Sequence, residues 1–128
     1  MRVLIAGATG AIGRPLIRRV KQDGHTVLAL ARSSESSHLV TRLGAEPVIA
    51  DALDGASVKA ALDRTRPDAV INELTSLPGH YTAEEMRAAA ERDRKVRIEG
   101  NADLLGALWD TGVRRYLLRS SGILVCPG

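Results

Sequence analysis

Short aliphatic runs alternate with amphipathic segments along the whole chain. The runs are rich in valine, leucine, isoleucine and alanine, which is typical of strands buried on both faces of a parallel sheet. The predicted strands are Arg2–Ala6, Thr26–Ala31, Pro47–Ala50, Ala69–Ile71 and Arg115–Arg119. Between the runs, apolar residues recur at helical spacing. The predicted helices are Ala11–Asp23, Ser34–Leu43, Ala56–Arg64 and a long pattern at Thr82–Thr111.

The order of these elements predicts the fold class. Strands separated by helices pair in parallel through right-handed crossovers, which gives a doubly wound α/β sheet. The expected strand order is 3-2-1-4-5, with a ligand crevice where the order reverses beside the first strand. The long helical pattern follows a predicted loop at Thr75–Thr82, and we expect Ala83–Ala90 to be a separate lead-in segment before a helix that ends at Gly112.

Three glycines follow the first predicted strand in the sequence GATGAIG. We expect Gly7 to allow the tight turn, Gly10 to let the backbone approach a pyrophosphate, and Gly13 to let the next helix pack closely. The alternative is a strand-to-helix turn without a ligand, but the surrounding β-α-β frame favours a Rossmann-type dinucleotide site. The pyrophosphate would lie at the helix N-terminus, and the expected contacts are Gly7, Thr9, Gly10, Ala11, Ile12 and Gly13.

These motifs carry a family resemblance. The GxxGxxG spacing in GATGAIGRPL resembles that of extended and atypical short-chain dehydrogenase/reductases, including NAD-dependent epimerase/dehydratase and NmrA-like proteins. Asp51 in ADALD is similar to the family's aspartate beside the adenine, and Asn101 in EGNADLLGAL resembles its helix asparagine. The segment VRRYLLRSSG resembles its fifth strand, which ends in a serine pair.

The end of the second strand predicts which dinucleotide is bound. NAD sites usually carry an acidic residue there for the ribose hydroxyls, whereas this chain has Arg32 followed by two serines. A guanidinium suits a phosphate monoester, so we expect Arg32 and Ser33 to bind the 2′-phosphate of NADP. Arg14 is a further candidate for that phosphate. The alternative is that both arginines are solvated surface residues, and Glu35 lies close in sequence.

Other residues are expected along the rest of the cofactor. Asp51, with Ala52 beside it, is expected at the adenine, although an aspartate that opens a turn before a helix needs no ligand. Asn72 and Thr75, after the fourth strand, are expected on the ribose or nicotinamide side. Asp103 is expected to be an ordinary charge on a helix face.

The resemblance also implies a reaction centre. In the family, a serine or threonine after the fifth strand polarises a substrate oxygen, and Ser121, or Ser120, matches it, although a serine that caps a strand end is nearly as good an explanation. The family's Tyr-x-x-x-Lys pair is missing, because Tyr81 is followed four positions on by Glu85 and Tyr116 by Ser120. We therefore expect a single NAD(P)-binding domain, truncated after the fifth strand and lacking the C-terminal substrate-binding part, that is not catalytic alone. The implied parent is an epimerase/dehydratase or reductase, and the alternative is an NmrA-like NADP sensor.

Charge and composition restrict the kinds of binding partner that we expect for this chain. The net charge of +3 comes from basic residues scattered among acids, so nucleic acid is an unlikely partner. The three histidines are dispersed and Cys126 is the single cysteine, which predicts no metal site and no internal disulfide. The sequence lacks a signal peptide and a membrane-spanning run, so we expect a cytoplasmic protein. An uncovered edge beside the fifth strand predicts self-association or a missing C-terminal half.

Overall fold

The computed structural model describes residues 1–9, 13–74, 83–113 and 115–118. Five strands alternate with helices within these ranges. The strands are β1 (Arg2–Ala6), β2 (Thr26–Ala31), β3 (Glu46–Ile49), β4 (Ala69–Asn72) and β5 (Arg115–Leu118). The helices are α1 (Gly13–Gln22), α2 (Ser34–Arg42), α3 (Gly55–Thr65), α4 (Ala83–Lys95), a π-helix (Val96–Gly100) and α5 (Asn101–Thr111).

The strands form one parallel sheet in the order β3-β2-β1-β4-β5, which confirms the prediction. Strand β1 lies in the centre, where Val3 pairs with Val27 on one side and with Ala69 on the other. The carboxyl ends of the strands therefore meet at one edge of the sheet. In open sheets of this kind, ligands bind in the crevice outside that edge.

Aliphatic residues cover both faces of the sheet. On one face, α3 and α5 pack over β1 with Leu4, Leu62 and Leu104, all fully buried. On the other face, α1 and α2 pack through Ile17 and Val40. Alternate residues of each buried strand point to opposite layers, which explains why the strands appear in the sequence as continuous aliphatic runs.

Several predicted boundaries were wrong by a residue or two. Strand β3 is shifted one residue towards the N-terminus, because Glu46 already pairs with Leu28 of β2. Helix α3 begins at Gly55, because the side chain of Asp54 accepts hydrogen bonds from the backbone amides of the first turn. Gly112 adopts φ +76° and ends α5 as predicted.

The helical region after β4 differs more from the prediction. The lead-in segment does not end at Ala90 but continues as α4 to Lys95, and the π-helix then joins it to α5. The wider turn of a π-helix comes from an i→i+5 hydrogen-bond pattern, which leaves no periodic signal in the sequence. The predicted loop Thr75–Thr82 lies outside the described residues. No helix in the described ranges is long and apolar enough to cross a membrane.

Candidate functional site

The turn after β1 requires glycine at two described positions. Gly7 has φ +82°, a conformation that L side chains rarely adopt, and a β-carbon there would collide with the backbone carbonyl of Glu73. At Gly13, the first residue of α1, a β-carbon would lie 2.6 Å from the α-carbon of Ala8. Both glycines therefore do the tasks that their spacing predicts. Residues 10–12 lie outside the described ranges.

A cleft of about 380 Å³ opens beside this turn, at the carboxyl ends of the strands. It is bounded by the β1–α1 turn, the β2–α2 junction and the β3–α3 turn, and its walls carry both apolar and polar side chains. The lining residues are Gly7, Ala8, Thr9, Leu30, Arg32, Ser33, Glu35, Ser36, Leu39, Ala50, Asp51, Ala52, Leu53, Leu74 and Val96. Six residues predicted from the sequence to bind the cofactor thus meet around one cavity: Gly7, Thr9, Arg32, Ser33, Asp51 and Ala52.

Arg32 follows directly after β2 and is solvent-exposed at the rim of the cleft. Within the described part of the chain, its guanidinium forms no hydrogen bond or ion pair, and Glu35 lines the same cleft. Arg14 lies elsewhere: its Nε donates to the carbonyl oxygen of Thr9 at 3.2 Å, and it does not line the cleft. Arg32 is therefore the better placed of the two arginines to meet an anion in the cleft.

Ser33 already has a structural role at the start of α2. Its hydroxyl accepts from the backbone amide of Ser36 at 3.2 Å, and its own backbone amide donates to the Ser36 hydroxyl at 3.2 Å. This reciprocal pair is a capping box, which satisfies two amides at the helix end. Ser33 was expected only as a phosphate ligand; its capping role was not predicted, although the Ser33–Ser36 spacing indicates it.

Asp51 opens the turn between β3 and α3. Its Oδ1 accepts from the backbone amide of Leu53 at 3.0 Å, and its own amide donates to the Ser57 hydroxyl at 3.0 Å. The carboxylate is nevertheless exposed and lines the cleft. Its turn-forming role and the expected contact with adenine are therefore compatible.

Asn72 lies behind the cleft wall and does not line the cleft. It is only 2% exposed, and its Nδ2 donates to the Tyr116 hydroxyl at 2.8 Å and to Asn101 Oδ1 at 3.4 Å. Its Oδ1 accepts from the backbone amide of Leu74 at 2.9 Å. Because these interactions hold the side chain in the interior, direct contact between it and a ribose, as expected from the sequence, has no support in the geometry.

The hydrogen bonds of the Tyr116 hydroxyl were not predicted from the sequence. This hydroxyl accepts from Asn72 and donates to Asn101 Oδ1, so that three side chains from β4, β5 and α5 form one polar cluster. Burial raises the pKa of the Tyr116 phenol, and the hydrogen bond from Asn72 opposes this increase. The hydroxyl therefore stays protonated at neutral pH and can donate.

Asp103 is not the solvated helix-face charge that was expected. It lies half-buried against the start of α3, where its Oδ1 would be 3.0 Å from a β-carbon on Gly55. Burial raises the pKa of this carboxyl, and the nearby carboxylates of Glu99, Asp54 and Asp51 raise it further. Sequence spacing could not reveal this, because α3 and α5 meet only through the fold.

The remaining predicted site residues, Thr75, Ser120 and Ser121, lie outside the described ranges, so the reaction centre that the resemblance implied stays a prediction. Among the described residues, no group of three or more histidine, cysteine, aspartate or glutamate side chains could hold a metal ion.

The 3-2-1-4-5 sheet and the glycine turn at its switch point define a Rossmann-type α/β protein. More specifically, the chain belongs to the NAD-dependent epimerase/dehydratase family, whose sequence model matches residues 3–125. The match covers nearly the whole chain, including the parts that form the cleft.

Individual relatives are longer than this chain. It is 36% identical over 127 residues to the 3-diazoavenalumate denitrifying reductase of a Streptomyces species, and it covers 40% of that protein's length. It is 31% identical over 121 residues to the photosystem II assembly factor Ycf39 of Synechocystis, of which it covers 33%. The aligned region covers 99% and 94% of this chain, respectively.

Solved structures agree with this assignment. A UDP-glucose-4-epimerase from Stenotrophomonas maltophila with bound NAD is 25% identical, with a TM-score of 0.75 over 100% of this chain and 40% of its own. A short-chain dehydrogenase/reductase superfamily protein from Agrobacterium tumefaciens, also with bound NAD, is 25% identical, with a TM-score of 0.70 over 95% of this chain and 33% of its own.

Proposed function

We propose that this chain is a dinucleotide-binding domain that prefers NADP. The observation that carries the proposal is the cleft at the carboxyl ends of the strands, which has the glycine turn at one end and the exposed cation Arg32 at the other. Gly7 and Gly13 allow the tight passage from β1 into α1, and a pyrophosphate would bind to the backbone amides at the N-terminus of that helix. When bound, a nicotinamide ring donates or accepts a hydride.

The proposed contacts follow the length of the cofactor. The pyrophosphate would lie on the turn formed by Gly7, Thr9, Gly10, Ala11, Ile12 and Gly13. The adenosine would occupy the part of the cleft between Arg32 and Asp51, with Ala52 against the adenine ring. Asn72 would act indirectly, through the Leu74 backbone that it holds.

The preference for NADP rests on charge. No acidic residue ends β2 at the position where NAD sites usually carry one for the ribose hydroxyls; the nearest carboxylate in the cleft is that of Glu35, in the first turn of α2. The Arg32 guanidinium can bind a 2′-phosphate through two parallel hydrogen bonds. The Ser33 hydroxyl is engaged in the capping box and would add at most a shared hydrogen bond.

For the whole protein, we propose an NAD(P)-dependent oxidoreductase or epimerase whose substrate is bound by residues beyond those that line this cleft. The alternative is a non-catalytic NADP sensor of the NmrA-like kind; neither tyrosine of the 128 residues is followed four positions on by lysine, which is compatible with both. General acid catalysis needs a positioned proton donor, so no such step is assigned to these residues. Ser121 remains the candidate that would polarise a substrate oxygen.

Calorimetric titration of the 128-residue chain with NADPH and then NADH tests the proposal. We expect NADPH to bind at least about tenfold more tightly, which corresponds to about 1.4 kcal/mol. Arg32→Ala should remove this preference, whereas Arg42→Ala, which removes an exposed arginine near the other end of α2, should keep it. Equal affinities for the two cofactors would contradict the preference, and a folded chain that binds neither would overturn the proposed function.

We also propose that another polypeptide surface covers the β5 edge, either a second copy of the chain or a segment such as the longer relatives possess. Leu117 and Leu118 are 63% and 55% exposed, and Trp109 on α5 is 90% exposed. Large exposed apolar residues on an edge strand and on the helix that precedes it are candidates for an interaction surface. Sedimentation of the 128-residue chain would separate the possibilities: dimers that are lost in Trp109→Ser favour a second copy, and a monomer at all concentrations excludes it.

A further inference from the structure

The polar cluster behind the cleft joins three elements that are distant in sequence. Tyr116 lies on β5, Asn72 at the end of β4, and Asn101 at the start of α5. The Tyr116 hydroxyl accepts from Asn72 Nδ2 at 2.8 Å and donates to Asn101 Oδ1. The hydroxyl therefore connects the carboxyl end of the sheet to the helix that packs on it.

The cluster reaches the cleft through one backbone hydrogen bond. Asn72 Oδ1 accepts from the Leu74 amide at 2.9 Å, and Leu74 is part of the cleft wall. Asn72 is 2% exposed, and neither it nor Tyr116 lines the cleft. A change at the Tyr116 hydroxyl can thus reach the cleft only by moving the wall.

The π-helix forms a second connection between the cluster and the wall. Its last residue, Gly100, is buried so closely that a β-carbon would lie 2.9 Å from Leu74 Cδ1 and 3.6 Å from Ala52 Cβ. The next residue is Asn101, whose side chain is held by Tyr116. Its first residue, Val96, lines the cleft. Single-turn π-helices are rare and frequently accompany functional sites, and this one places backbone against two lining residues.

We propose that Tyr116 is a positioning residue for the cofactor: its hydroxyl holds Asn72 and Asn101, and thereby fixes Leu74 and the π-helix as the wall of the cleft. This inference rests on the proposed function, because it assumes that the cleft receives the dinucleotide. Tyr116 touches no part of the cofactor. Its contribution is to keep the cleft wall in the geometry that binds the cofactor. The entropic cost of ordering the wall is then not incurred when the cofactor binds.

The test compares Tyr116→Phe with Thr111→Val. The first variant removes only the hydroxyl and keeps the ring that packs against the core. The control removes a part-buried hydroxyl from α5 that donates to the Ala107 carbonyl at 2.9 Å, away from the cleft. Two quantities are measured: the Kd for NADPH by calorimetry, and the hydrogen-exchange rate of the Leu74 amide by NMR without ligand.

We expect Tyr116→Phe to raise both the Kd and the Leu74 exchange rate about tenfold, which is the size of one lost hydrogen bond of about 1.4 kcal/mol. Thr111→Val should leave both unchanged. If Tyr116 had a merely structural role, Tyr116→Phe would lower the stability of the protein but would leave the Kd for NADPH and the Leu74 exchange rate as they are in Thr111→Val.

The possible failures have separate meanings. If wild type binds NADPH and Tyr116→Phe binds it equally well, the inference is overturned and the proposed function stands. An increased Kd with an unchanged Leu74 exchange rate would also overturn it, because the effect would not pass through the wall. A folded wild-type chain that binds no dinucleotide overturns the proposed function, and it also overturns the inference that Tyr116 positions a cofactor.

Discussion

Gly7 lies with its α-carbon against the backbone carbonyl of Glu73, at the point where the central strand β1 and its neighbour β4 end side by side. The Glu73 amide also donates to the Ala6 carbonyl at 2.8 Å, which extends the ladder by one hydrogen bond. The chain must turn sharply here without any side chain.

Gly7→Ala should destabilise the protein by about 1–3 kcal/mol, because alanine would be strained at φ +82° and would collide with the Glu73 backbone just after β4. The matched control is Gly106→Ala, since Gly106 lies within α5 and a β-carbon there would meet no atom within 4 Å. That change should stabilise the protein by up to about 1 kcal/mol. Urea denaturation of both variants tests the pair, and a neutral Gly7→Ala would contradict the proposed need for glycine.

Two substitutions at Ser33 separate its cap from its place in the cleft. Ser33→Ala should cost about 1 kcal/mol of stability, because it removes the capping oxygen of α2. Ser33→Asp should keep the cap but place a carboxylate beside Arg32. It should therefore weaken the binding of NADPH more than the binding of NADH. Denaturation and titration with both cofactors measure the two effects. An unchanged NADPH affinity in Ser33→Asp would argue that the 2′-phosphate does not lie at this junction.

Asp103→Asn should stabilise the protein at neutral pH. Burial raises the pKa of this carboxyl, and Glu99, Asp54 and Asp51 add to the increase, so the folded state favours the protonated form. The associated stability is fully present below the unfolded value near 3.8 and is lost as the pH rises through the folded pKa. The advantage of Asn over Asp should therefore vanish in acid.

The control for Asp103 is Asp110→Asn on the same helix. Asp110 is more than half exposed, and its Oδ2 lies 3.6 Å from Lys59 Nζ. Loss of this exposed ion pair should lower the free energy of unfolding by at most about 1 kcal/mol. Denaturation curves of both variants between neutral and acidic pH give the comparison. If Asp103→Asn is destabilising at pH 7, the carboxylate must be favourably placed and the interpretation is wrong.

The stability contributed by Tyr116 should fall in alkaline solution. Because burial raises the pKa of its phenol above 10.0, the folded state favours the protonated form. That contribution is complete below pH 10 and is lost as the pH rises through the folded pKa. The difference between wild type and Tyr116→Phe, followed by denaturation and by phenolate absorbance, isolates this group from Tyr81. A folded-state pKa below 10 would contradict the expected burial.

Local patterns predicted the sheet well and the polar cluster poorly. The strands β1 and β2 follow from aliphatic runs, because a strand buried on both faces must be apolar throughout. Gly7 and Gly13 were found because their spacing has a local steric cause. The contact between Asn72 and Tyr116 joins residues 44 apart, and no periodicity encodes it.

The misjudged site residues share this cause. Asn72 was expected on the cofactor from its position after β4, but hydrogen bonds from β5 and α5 hold its side chain inside. The predicted break after Ala90 was wrong because the change in helical geometry comes at Val96–Gly100, where the backbone packs against Leu74 and Ala52. In both cases the decisive partner comes from another part of the chain.

The central position of β1 also determines the order in which the sheet can be completed during synthesis. β2 and β3 emerge from the ribosome early and can pair on one side of β1. The other side stays open until β4 appears at residue 69, so β1 keeps one unpaired aliphatic edge until that point of synthesis. The pairing of β1 with β4 is a long-range step of the kind that slows folding, and conditions that slow elongation in this interval prolong exposure of the strand from which the glycine turn emerges.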